Sequence, residues 1–184
     1  MNKKIFSILL VSASVIIYII LFYNENKKTA DLPEFLSEIN IVPAPQKVDY
    51  KGYLLGVPRN FMQKYDNTCA ASALRFYLNM KKIRVSEEEL AEKLEITSEG
   101  TSFASIVKVA KEYGINFTGL RTDIDTIRNR TAIIQLKFGH FAVYLQSGKY
   151  HSDAYIFDPA YGYVFIFERD LKKVWKGYAL VEDF

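Results

Sequence analysis

The sequence predicts an α+β domain in which helices lead and antiparallel strands follow, and two observations predict it. Apolar residues recur every three or four positions through the first half of the domain, as on one side of a helix. After about residue 130 the period changes, and short β-branched or aromatic runs alternate with Gly, Pro or Asp. Helices followed by strands of this kind pack as segregated layers. With 184 residues, 49% hydrophobic and 24% charged, the chain is long and apolar enough to bury a sizeable core.

The elements are justified in chain order. From Ile5 to Tyr23 the chain reads IFSILLVSASVIIYIILFY without a charge, close to the roughly 20 residues a helix needs to cross hydrocarbon. Asn24, Glu25, Asn26 and Lys27 follow at once, with no small-x-small cleavage site, so residues 1–28 read as one uncleaved transmembrane signal anchor. Lys3 and Lys4 oppose Lys27 and Lys28, and the positive-inside rule then tips the domain to the extracytoplasmic side of a single-pass topology. Residues 29–46 carry Pro33, Pro43 and Pro45 and read as a linker, so the domain proper is expected over 47–184.

Asp66 or Asn67 is expected to cap a first domain helix over residues 68–79, with Cys69 in its first turn and Ala73, Phe76, Tyr77 and Met80 along its apolar side. Ser86 with Glu89 forms a capping box for a second helix reaching Leu94. A third runs from Ser102 to Tyr113 and stops at Gly114. Strands are expected over 131–137, 139–146, 155–158, 163–167 and 178–181. If HFAVYLQS folds back on AYIFDP around Gly148 and Lys149, His140 stands opposite Asp158 and Ala142 opposite Ile156, while Phe141, Val143, Leu145, Tyr155 and Phe157 share the other face as core. His151 falls near that turn as a solvated residue.

Charge excludes one class of function. Four of the 24 basic residues and one of the 21 acidic ones lie before residue 29, leaving 20 of each in the rest of the chain. A body neutral in sum has no basic footprint for nucleic acid. No G-x-x-x-x-G-K-[ST] loop occurs, so no nucleotide partner is expected.

Cys69 is the only cysteine, so it forms no internal disulfide, and packing or chemistry must explain it. The residues around it favour chemistry. At the head of a helix and beside a protonated imidazole, a thiol is favoured as the nucleophilic thiolate. His140 in this arrangement takes the thiol proton and returns it to the leaving amine, while Asp158 fixes the ring tautomer. Gln63, six residues before Cys69 in the loop leading into the helix, would direct an amide N–H at the oxyanion beside the Cys69 backbone N–H. No metal or other cofactor is needed. Each residue has an ordinary structural role open to it, a small buried hydrophobe for Cys69 or a turn starter for Asp158. Their joint occurrence is what points to a thiol hydrolase.

The segments GVPRNFMQKYDNTCAASALRFYLN, GTSFASIVKVAKEYGINF, TAIIQLKFGHFAVYL, YIFDPAYG and WKGYAL resemble the bacteriocin-processing cysteine peptidase family, over nearly all of residues 54 to 181. The resemblance implies a papain-like fold, with Cys69 as nucleophile, His140 as base, Asp158 as orienting acid and Gln63 in the oxyanion hole. Thr68 and Ala70 replace the acid and glycine often found beside the nucleophile. The best-known members cut after a double glycine in a leader peptide, on the cytoplasmic side and fused to an ATP-driven exporter. The expectation is a membrane-anchored cysteine peptidase acting on a peptide or protein substrate such as a leader or secreted peptide. A transglutaminase-like acyl transferase and a non-catalytic peptide-binding module on the same fold are the alternatives.

Overall fold

Both faces of one curved sheet carry apolar rows, and this decides where helices can pack. The computed structural model describes residues 39–47, 52–58, 60–147 and 153–183. Its elements run β1 (Ile39–Lys47), β2 (Tyr53–Pro58), α1 (Cys69–Met80), α2 (Glu87–Lys93), α3 (Phe103–Glu112), β3 (Phe117–Arg121), α4 (Ile124–Ile127), β4 (Ala132–Leu136), β5 (Phe141–Ser147), β6 (Asp153–Asp158), β7 (Gly162–Phe167), α5 (Glu168–Val174) and β8 (Trp175–Glu182). The strands form one eight-stranded antiparallel sheet in the order β1-β2-β7-β6-β5-β4-β8-β3.

The register aligns side chains of like character across many strands. Leu54, Val164, Ile156, Tyr144, Ala132 and Val181 follow one another from β2 to β8. They form one buried core with Ile124 and Ile127 of α4 and Leu171 of α5. On the opposite face Phe157, Val143, Ile133 and Leu180 form a second buried row. Helices α1 and α3 pack there: Phe76 of α1 stacks on Phe157 at 4.1 Å between ring centroids, and Phe103 of α3 meets Phe141 edge-on at 5.1 Å. Aromatic pairs in these geometries contribute about 0.5–1.5 kcal/mol beyond the area they bury.

The α+β architecture, the three main helices and the strands of the second half follow the sequence pattern. Ser86 accepts from the Glu89 amide at 3.1 Å, as the capping box requires, although the Glu89 carboxylate accepts from the Tyr113 hydroxyl instead of turning back. Ser102 caps α3 through the Ser105 amide, and Gly114 follows that helix with φ +80°. The first helix begins differently. Thr68, not Asp66 or Asn67, holds the N-cap position, and its side chain makes no capping bond because it is engaged elsewhere.

The linker is shorter than expected. Ile39–Lys47 forms β1, paired antiparallel with β2, where the proline content of residues 29–46 suggested a spacer throughout. Prolines are tolerated in an edge strand, and the register between β1 and β2 shifts between Ile41 and Gln46, around Pro43 and Pro45. The compact unit accordingly spans Glu38–Phe184 rather than starting at Lys47. The anchor over residues 1–28 and the rest of the linker lie outside the described residues. Among those described, no helix is long and apolar enough to cross a membrane.

The β5–β6 pairing differs by two residues from the register expected. Val143 lies opposite Phe157 and Tyr144, not Ala142, opposite Ile156. A shift of two leaves every side chain on its expected face, whereas a shift of one would have reversed them. Beyond Tyr144 the register slips once more, so that Gln146 pairs with Tyr155. Tyr155 stays on the Phe157 side of β6 but is only half-buried, packing at 5.7 Å on Phe165, and Leu145 is half-buried too. The turn at Gly148 and Lys149, with His151, lies outside the described residues.

Candidate active site

Two buried rings on the helix-facing side of the sheet sit immediately next to the polar residues of interest. Phe141 follows His140, and Phe157 precedes Asp158. With its ring held by Phe76, Phe157 faces the helices, and strand alternation turns Asp158, the last residue of β6, the other way. The Phe76–Phe157 stack also fixes α1 against β6, and Cys69 stands two turns before Phe76 at the first position of the helix.

His140 does not lie in a strand. A 3₁₀ turn over Lys137–Gly139, with Gly139 at φ +76°, separates β4 from β5, and the His140 carbonyl accepts from the Leu136 amide at 2.7 Å. That turn brings the ring to Asp158 despite the two-residue difference in register. His140 Nε2 and Asp158 Oδ1 are 2.8 Å apart. Asp158 is completely buried and its Oδ1 also accepts from the Ala160 amide at 2.9 Å, across the turn begun by Pro159. Gly162 closes this turn at φ +115°, where any Cβ would collide with the Gly56 carbonyl of β2.

The third partner is the thiol. Cys69 interacts electrostatically with the His140 side chain, whose Nε2 is given to Asp158. Burial opposes a charge on this ring, but the hydrogen bonds and negative charges of Asp158 and Cys69 outweigh it and raise the His140 pKa from 6.5 to about 10. The imidazolium is therefore the resting form at neutral pH. Cys69 is 8% exposed, so the approach to it is narrow.

Gln63 belongs to the same framework, but its amide does not meet the other three. Its backbone N–H donates to the Pro159 carbonyl at 2.9 Å, tying the loop before α1 to the Asp158 turn. Its side-chain Nε2 donates to the Tyr65 carbonyl at 3.0 Å and, more weakly, to the Asp66 carbonyl at 3.4 Å, while Oε1 is buried without a partner. The structure thus gathers Cys69, His140 and Asp158, and places Gln63 beside them with its donors turned into its own loop.

The pattern of residues did not single out Glu87. It lies at the start of α2, only 2% exposed, and its Oε1 accepts from the Lys64 amide at 2.9 Å and the Thr68 hydroxyl at 2.6 Å. In the sequence Glu87 is one of three acids in a first helical turn, where dipole stabilisation is explanation enough. Nothing local distinguishes it from its exposed neighbours Glu88 and Glu89. Among the described residues no cluster suited to a metal ion occurs.

Comparison with known proteins defines the class: this is a cysteine peptidase on a papain-like α+β fold. Residues 59–183 match the profile of the Peptidase C39 family, and the chain belongs to that family. Among solved structures it is similar to a double glycine motif protease from an AMS/PCAT transporter, crystallised with the leader peptide, at 25% identity and TM-score 0.62, covering 70% of this chain and 97% of that one. It is also similar to the peptidase domain of Streptococcus ComA, a bifunctional ABC transporter of a quorum-sensing pathway, at 18% identity and TM-score 0.60, covering 67% and 96%. A third likeness, at 16% identity and TM-score 0.54, is to the N-terminal peptidase C39 like domain of a toxin secretion ATP-binding protein from Vibrio parahaemolyticus, covering 66% and 100%. The last two show the fold alone. No curated protein matches.

Proposed function

We propose that the chain hydrolyses a peptide bond next to a double glycine, through an acyl-enzyme on Cys69, in a peptide that carries a leader. The observation that carries the catalytic reading is the connected set of Asp158, His140 and Cys69, with the imidazolium held between carboxylate and sulfur. Cys69 attacks the scissile carbonyl and the carbonyl electrons move onto oxygen. When that oxyanion collapses, the C–N bond breaks and His140 gives its proton to the departing amine. His140, now neutral, takes a proton from water, whose oxygen attacks the thioester and frees the thiolate and the carboxylic acid. Asp158 keeps the ring oriented and stabilises its charged form in both halves.

The oxyanion donors are the Cys69 backbone N–H, free of an intrahelical acceptor at the first position of α1, and the Gln63 amide. In the resting geometry the Gln63 contact to the Asp66 carbonyl is the weaker of its two, so this N–H is the one that turns to the substrate. The double glycine is supported by the similarity to the leader-bound protease and by the shielding of Cys69. Residues without side chains let a backbone reach a recessed sulfur. The apolar run from Ile5 to Tyr23 makes the chain a single-pass membrane protein under this proposal, with the peptidase domain on the extracytoplasmic side.

The test is incubation of the full chain with peptides whose leader ends in Gly-Gly, followed by product mass analysis. Cleavage after the second glycine, absent with Cys69→Ala, is expected. Cleavage that survives this substitution would remove Cys69 from the chemistry, and equal cutting of a peptide with both glycines changed to leucine would remove the specificity.

A further inference from the structure

A carboxylate buried at 2% exposure, with Oε2 left without a hydrogen-bond partner, costs free energy that its surroundings must offset. Both bonds that Glu87 Oε1 accepts come from the segment joining Gln63 to Cys69, namely the Lys64 amide and the Thr68 hydroxyl. The segment is otherwise thinly held. Lys64, Tyr65 and Asp66 are exposed, and the contacts that reach the segment from Glu88 and from the Thr97 carbonyl are exposed to competing water. Inside it, the Thr68 hydroxyl oxygen accepts from the Tyr65 amide at 3.2 Å, and the Tyr65 carbonyl accepts from Gln63 Nε2 at 3.0 Å. Glu87 therefore acts on the Gln63 amide through Thr68 and Tyr65, and on the Cys69 backbone N–H through the residue that precedes it.

We propose that Glu87 is a positioning residue for the oxyanion site: it holds segment 63–68 in the shape that presents the Gln63 amide and the Cys69 backbone N–H to the tetrahedral intermediate. It touches neither substrate nor sulfur. This rests on the proposed role of Cys69 as nucleophile and deepens it. The consequence is selective, because reactions at Cys69 that pass through an oxyanion depend on Glu87 and reactions that do not are indifferent to it.

Two probes that need no knowledge of the natural substrate separate these cases in the full chain. With iodoacetamide, sulfur displaces iodide at a saturated carbon and no oxyanion forms. With 4-nitrophenyl acetate, sulfur attacks the carbonyl, and the oxyanion collapses to expel 4-nitrophenolate and leave an acetyl thioester on Cys69. Glu87→Ala is expected to slow acylation by about tenfold or more while alkylation stays within about twofold of the parent. Glu87→Gln, whose amide oxygen accepts the same two bonds, is expected to restore acylation to within about threefold. Parallel loss of both reactions, no loss in either, or a Glu87→Gln as slow as Glu87→Ala would overturn the proposal. Thr68→Val keeps the volume and removes one donor, and serves if Glu87→Ala does not fold. It should slow acylation severalfold, and unchanged acylation contradicts the role. The acetyl group should be found on Cys69 in the parent chain and be lost in Cys69→Ala. An acetyl group elsewhere would remove the catalytic reading itself, and the Glu87 role with it.

Discussion

His140 receives opposing influences, and the balance between them sets the chemistry. Burial disfavours its charge, yet Asp158 at 2.8 Å and the Cys69 sulfur hold the pKa near 10. A folded pKa above the ordinary 6.5 means that this group contributes stability in full below pH 6.5 and loses it as the pH rises toward about 10. Asp158→Asn removes the carboxylate charge with little change in shape. The alkaline limb of the activity profile is expected to move to lower pH, and kcat/KM to fall by about a hundredfold or more. Denaturant melts across the same range should show a smaller alkaline loss of stability than in the parent. An unmoved alkaline limb would mean that Asp158 does not hold the imidazolium. That His140 and Asp158 meet was legible in the sequence, because alternation assigns them a common side of neighbouring strands. The 3₁₀ turn that delivers His140 was not, since residues 137–139 continue an apolar, strand-like run and only Gly139 hints at a break.

At the scale of elements, α1 connects chemistry to core. Phe76, 1% exposed, stacks on Phe157 and also meets Phe61 at 5.6 Å and Tyr163 at 5.9 Å, so one ring locks the nucleophile's helix to β6, to β7 and to the loop before it. Phe76→Ala should cost about 3–5 kcal/mol in denaturant unfolding, with a disproportionate loss of activity because the spacing of Cys69 from Asp158 depends on the same stack. A loss under 1 kcal/mol, about what a surface change produces, would contradict this role. The three main helices were legible through their period and through Ser86 and Ser102. The short α4 and α5 were not, because each contributes only one or two buried apolar residues to a pattern. β1 and β2 went unread for another reason. Their prolines and glycines resemble a linker, and only the pairing of β2 with β7, and of β1 with β2, makes strands of them. The slip beyond Tyr144 likewise depends on how β6 sits between two partners, which no local run of residues records.

At the scale of the whole chain, the antiparallel sheet supplies a rigid frame, and the proposed chemistry gathers where α1, the turn before β5 and the turn after β6 converge. The proposed anchor belongs to this scale too. With Ile5–Tyr23 as a span, the full chain should stay with membranes through an alkaline carbonate wash, and a variant beginning at Thr29 should be released. Recovery of the full chain in the wash would contradict the anchor while leaving the peptidase domain untouched. The central claim is that the sulfur of Cys69 lies against a charged imidazole. Its most direct measure is the rate of iodoacetamide alkylation at Cys69 as a function of pH, in the parent and in His140→Ala. The parent should react at a rate nearly flat across neutral pH, whereas His140→Ala should be slow near pH 6 and climb steadily with pH like an isolated thiol. Superimposable profiles would contradict the account.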